Sequence, residues 1–102
     1  MNKIKEILPI LETLAPQAYA EDFDNVGLLV GNPETEVTGI LVCHDALENV
    51  LDEAISKRCN LIVCFHPILF NGLKKITGKS YVERVVIKAI KNDIAIYAIH
   101  TA

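Results

Sequence analysis

A run of apolar residues at 60–64, NLIVC, constrains the fold of this chain more than any other feature. The run is too short for a helix and carries no polar residue after Asn60, so it predicts a strand that is buried on both faces. Strands of this kind lie in parallel sheets that helices cover on both sides. The segment therefore predicts an α/β protein.

The neighbouring segments fit this architecture because strand and helix patterns alternate along the chain. Apolar residues at helical spacing predict helices over residues 3–14, 45–58 and 80–92. Short apolar runs bounded by turn residues predict strands over 26–30, 39–43, 60–64 and 94–99. The alternating order favours parallel neighbours joined by right-handed crossovers.

Local signals predict where the helices begin and end. Asp45 with Glu48, and Ser80 with Glu83, have the spacing of capping boxes, so each pair is expected to begin a helix. Pro9 lies inside the first helical pattern and predicts a kink or an early end there.

Composition excludes several classes of function. A chain of 102 residues fits one domain or part of one. Its net charge of −3 and its pI near 5.5 give no electrostatic support for binding nucleic acid. It has no apolar run long enough to cross a membrane, which indicates a cytoplasmic protein. Cys43, Cys59 and Cys64 lack paired spacing and are expected to be reduced, mostly buried thiols.

All three histidines follow predicted strands. His44 and Asp45 follow 39–43, His66 follows 60–64, and His100 follows 94–99. In parallel α/β sheets the carboxyl ends of the strands meet at one edge, where ligands bind. Imidazole and carboxylate groups suit zinc, iron or manganese, so the spacing indicates a metal site.

Each of these residues also has a purely structural interpretation. His44 can be a solvated turn residue, because side chains alternate along a strand and His44 and Asp45 would then point in opposite directions. Asp45 is favoured as a helix N-cap. His66 precedes Pro67 and fits a turn as well as a ligand role. Cys64 lies two residues before His66. A nucleophilic pair of the Cys64 thiol and the His66 imidazole is a weak alternative to a metal site.

Several stretches in order closely resemble the N-terminal part of the GTP cyclohydrolase I type 2 homologs, also called Nif-three-like dinuclear-metal-centre proteins. The matching stretches are AEDFDNVGLLVG (20–31), the strand and helix unit at 39–70, GLKKITG (72–78) and KAIKNDIAIYAIHTA (88–102). The resemblance covers nearly the whole chain. It implies a mixed, largely parallel α/β sheet flanked by helices.

The resemblance also assigns roles to individual residues. The family pattern at the third strand is His-His-Pro, and both histidines bind metal; here Phe65 stands in the first position and His66 in the second. Phe65 cannot coordinate a metal. The resemblance therefore implies a site for one or two metal ions, where the family pattern implies two. His100 matches a further family ligand. Contacts to the substrate or to the metal ligands are expected of Asp24, Asn25 and Asp45.

The function implied by the resemblance is that of a metal-dependent hydrolase. In the intact protein, water activated by zinc, iron or manganese would attack a purine nucleotide. A homohexamer is expected, and the 102-residue chain, as the N-terminal portion of a longer domain, is expected to be inactive alone and to self-associate. The alternative is a non-catalytic scaffold or regulatory binding protein whose metal is structural or lost.

Overall fold

The computed structural model describes residues 2–14, 27–66 and 74–99. Within these ranges, the helices and strands follow one another in the order that the sequence predicts. The helices are α1 (Ile4–Leu14), α2 (Glu48–Ser56) and α3 (Tyr81–Lys91), and the strands are β1 (Gly27–Val30), β2 (Ile40–Cys43), β3 (Leu61–Cys64) and β4 (Ala95–Ala98). None of the helices in these ranges has the length and apolarity that a membrane crossing needs.

The described strands form one four-stranded sheet in the order β1-β4-β3-β2. Strands β2, β3 and β4 are parallel, and β1 pairs with β4 in the antiparallel direction. Two crossovers, through α2 and α3, connect the parallel strands. The mixed, largely parallel α/β fold expected from the sequence is confirmed.

Helices cover both faces of the sheet, as the apolar run at 60–64 requires. Ile62 and Cys64 of β3 contact one apolar cluster with α2 and α3, and Leu61 and Val63 contact a second cluster that includes Ile4 of α1. All four residues of β3 are buried. Alternate side chains of β3 therefore pack into two apolar clusters, one on each face of the sheet.

The helix boundaries show which local signals operate. Ser80 caps α3 with the complete capping box expected from its spacing with Glu83. Of the kink or early end expected at Pro9, the early end was wrong, because α1 continues through Pro9 to Leu14. Helix α2 ends at Ser56, two residues before the expected Arg58, whose φ of 57° is left-handed.

Candidate metal centre

The candidate site lies where β2 and β3 end side by side. The two strands are parallel and in register, so that Cys43, the last residue of β2, pairs with Cys64, the last residue of β3. The backbone amides of Phe65 and His66 both donate to the carbonyl oxygen of His44, at 3.2 and 3.1 Å. The residues that follow the two strands are therefore fixed next to each other.

Asp45 contacts His66 directly. Its Oδ1 lies 2.6 Å from Nδ1 of the imidazole, and each side chain is about half exposed, at 46% for Asp45 and 48% for His66. The expected capping role of Asp45 was wrong. Leu47 occupies the N-cap of α2 and makes no side-chain cap, while the Asp45 carboxylate turns towards β3. A capping aspartate would accept a hydrogen bond from a backbone amide of the helix. Here the partner of the Asp45 carboxylate is instead the imidazole of His66.

His44 joins the same group. The centre of its ring lies 4.3 Å from that of His66, and the two rings are inclined at 67°. One donor atom from each of His44, Asp45 and His66 can be chosen so that all three lie within 4.8 Å of one another. The expectation that His44 and Asp45 would point apart was wrong because β2 ends at Cys43, and strict alternation of side chains ends with the strand.

The donor set fits a divalent transition-metal ion. The two imidazoles are ligands that zinc and iron(II) accept, and a carboxylate lies beside them. The carboxylate of Asp45 lies 2.6 Å from Nδ1 of His66, so a metal would be bound by the other nitrogen of that ring, Nε2. A carboxylate on the other ring nitrogen is the usual partner of a metal-binding histidine in proteins. The residues present can therefore hold an ion at this edge.

The cysteines beneath the site do not offer a nucleophile. Cys64 is fully buried, and its thiol donates to the carbonyl oxygen of His66 at 3.2 Å. Burial raises the pKa of Cys64 to about 12, and burial, followed by the charge of Asp45, also raises the pKa of Cys43. Both are free thiols. A neutral buried thiol is a poor nucleophile, so the weak alternative of a Cys64 and His66 pair loses its support.

A groove at the opposite end of the sheet is a weaker candidate. It has a volume of about 280 Å³ and is lined by residues that include Thr38 and Asn60, which precede β2 and β3. The Asn60 amide is already engaged, since its oxygen accepts from the Thr38 amide and its nitrogen donates to the Glu36 carbonyl. Ligands of parallel sheets bind at the carboxyl ends of strands, which is where the histidines lie.

Three of the residues expected at the site lie outside the described residues. These are Asp24, Asn25 and His100. Ile99 directly follows β4, and its amide donates to the carbonyl oxygen of Cys64 at 2.7 Å. The structure thus unites Asp45 and His66 among the expected residues and adds His44. The signal for His44 was present in the sequence, because the apolar run of β2 stops one residue before it.

Fold and site together define a mixed α/β protein with imidazole and carboxylate groups gathered at the carboxyl edge of its parallel strands. The family model for Duf34/NIF3 (NGG1p interacting factor 3) matches residues 2–102, and the chain belongs to this family. The expected resemblance is confirmed.

Curated relatives agree with this membership. The chain is 46% identical over 99 residues to a GTP cyclohydrolase 1 type 2 homolog of Clostridium acetobutylicum, covering 97% of this chain and 37% of the relative. It is 42% identical over 100 residues to NIF3-like protein 1 of Rattus norvegicus, covering 97% and 27%. The chain therefore spans little more than a third, or less, of the length of these relatives.

Solved structures show the same fold. A crystal structure of a Staphylococcus aureus protein superposes with a TM-score of 0.93 at 37% identity, over 97% of this chain and 28% of that one. A Bacillus cereus protein related to NIF3 gives 0.91 at 38% identity, over 98% and 28%. The described sheet thus corresponds to one part of larger proteins.

Proposed function

We propose that this chain supplies part of the metal centre of a hydrolase-like protein that acts on a purine nucleotide. The observation that carries the proposal is the 2.6 Å contact between Asp45 and His66 at the end of a buried strand. This arrangement orients an imidazole for a metal. The nucleotide is inferred from the name of the Clostridium relative, a GTP cyclohydrolase 1 type 2 homolog.

The residues of the chain would act on the ion in distinct ways. A divalent ion held here would supply Lewis acidity, which is the chemistry that activates water for hydrolysis. His66 would bind through Nε2, because Asp45 engages Nδ1. The carboxylate fixes the ring and makes it a stronger ligand. By the family resemblance, we further propose His100 as a ligand, and Asp24 and Asn25 as contacts to the substrate.

Isothermal titration with zinc, manganese and iron(II) tests the metal site. We expect wild-type chain to bind, His66→Ala to lose binding, and Asp45→Asn to bind about 10–100-fold more weakly, as is usual when the partner of a metal-binding histidine is changed. Asp52→Asn is the matched control, because Asp52 is an exposed carboxylate on α2 that pairs with Lys88 at 2.7 Å. Binding that is equal in His66→Ala and wild type would end the proposal.

A scaffold or regulatory binding protein is the second candidate, and Phe65 is the observation that favours it. This side chain lies beside the candidate ligands, is 38% exposed and has no donor atom for a metal. GTP turnover by a full-length version of the protein, with and without Phe65→His, separates the two candidates. Turnover that appears or rises with the histidine supports chemistry at the site, whereas two inactive proteins support the scaffold.

A further inference from the structure

The position of His44 makes it more than a turn residue. It follows β2, whereas His66 follows β3, and the two in-register strands bring the imidazoles to a separation of 4.3 Å between ring centres. Two imidazoles on one tetrahedral zinc ion have ring centres roughly 5 Å apart, given zinc–nitrogen bonds of about 2.0–2.1 Å. Both rings are exposed, and ligand atoms of His44, Asp45 and His66 already lie within 4.8 Å of one another.

We propose that His44 is a metal ligand, and that the chain holds one divalent transition-metal ion between the ends of β2 and β3 through His44 and His66. This inference rests on the proposed metal site and extends it to a residue on a different strand. In this arrangement the two ligands come from different strands, and Phe65, the neighbour of His66 in the sequence, does not bind the metal. Asp45 is a positioning residue here, because its Oδ1 contacts His66 Nδ1.

The surroundings of His44 support this role. The ring of Phe65 lies 6.0 Å from that of His44, measured between centres, and so forms an apolar wall on one side of the histidine. The carbonyl oxygen of His44 accepts hydrogen bonds from the backbone amides of Phe65 and His66. The backbone that carries the His44 ring is therefore fixed to the end of β3. A ligand held by backbone hydrogen bonds loses less conformational freedom when it binds an ion.

Cobalt(II) is a suitable probe, because its absorption spectrum reports the ligands directly. Titration of the metal-free 102-residue chain is expected to saturate at one ion per chain. His44→Ala is expected to bind about 100-fold more weakly or worse, since loss of a ligand exceeds the 10–100-fold typical of an outer partner. His44→Cys is expected to retain binding and to gain a thiolate-to-cobalt charge-transfer band that wild type lacks.

Asp52→Asn is the control, because it changes an exposed carboxylate on α2 that pairs with Lys88 and lies outside the proposed ligand set. It is expected to bind cobalt as wild type does. Binding by His44→Ala equal to wild type, with binding lost in His66→Ala, would overturn the role of His44 and leave the proposed metal site intact. Absence of the charge-transfer band in His44→Cys would also overturn it. Absence of cobalt binding by wild type would overturn both proposals together.

Discussion

Gly31 fixes how closely β1 can approach β4, and its replacement by alanine is expected to destabilise the fold strongly. A Cβ atom at this position would lie 2.6 Å from Cβ and 2.9 Å from Cα of Ala95. Carbon atoms in contact ordinarily stand about 3.5–4.0 Å apart. Ala95 is buried in a strand with neighbours on both sides, so the backbone itself would have to move.

Two costs add in Gly31→Ala. Overpacking of this kind costs about 1–3 kcal/mol. The φ of Gly31 is +117°, and a side chain held in such a sparsely populated region costs about 1–3 kcal/mol more. The sum, about 2–6 kcal/mol, is a large part of the roughly 5–15 kcal/mol that stabilises a domain.

Gly78→Ala separates the two costs, because Gly78 also has a positive φ, +87°, but its nearest added contact is Arg84 Cγ at 3.9 Å. Only the backbone cost of about 1–3 kcal/mol applies there. Urea unfolding followed by circular dichroism measures both free energies, with unchanged slopes showing that the comparison is valid. If Gly31→Ala loses no more stability than Gly78→Ala, the steric argument is refuted.

Two further predictions concern the helices. The Glu83 carboxylate accepts from the Thr77 amide at 2.8 Å and from Ser80, which lowers its pKa from 4.5 to about 2. Its stabilising contribution is therefore complete above about pH 4.5 and is lost as the pH falls towards 2. Melting temperatures of wild type and Glu83→Gln should converge over that range, and a constant difference would contradict the assignment. Leu51→Ala in α2 should cost about 2–5 kcal/mol in urea unfolding, because Leu51 is fully buried. Ile55→Ala, at a 40% exposed position of the same helix, should cost about 1 kcal/mol or less, and equal losses would contradict this packing.

Local sequence was sufficient where the relevant interactions are local or where burial is complete. Residues 61–64 could be predicted as a doubly buried strand because every side chain is apolar, and the structure buries all four. Ser80 and Glu83 could be predicted as a capping box because both partners lie within one turn of helix.

Asp45 and Glu48 have the same spacing, and there the prediction failed. The partner that Asp45 takes instead, His66, is 21 residues away in the chain, and no local rule identifies it. The antiparallel pairing of β1 with β4 is likewise a contact between distant segments. Spacing alone therefore predicts which residues reach this edge of the sheet, whereas the sheet register decides which of them meet.

His44 shows the same limit within the candidate site. Alternation along a strand predicts that it points away from Asp45, but the strand ends at Cys43 and the rule no longer applies to either residue. The sequence thus placed all three described members at this edge but favoured a turn role for His44, and the structure brings His44 into the group.

The zinc content of the purified chain tests the central claim most directly. Wild type and His66→Ala would be loaded with zinc, dialysed and analysed by atomic absorption, with circular dichroism confirming that both are folded. The account predicts about one zinc ion per wild-type chain and none in the variant, because His66 is the proposed ligand and Asp45 orients its ring through Nδ1. Equal zinc in both proteins, or none in wild type, would contradict it.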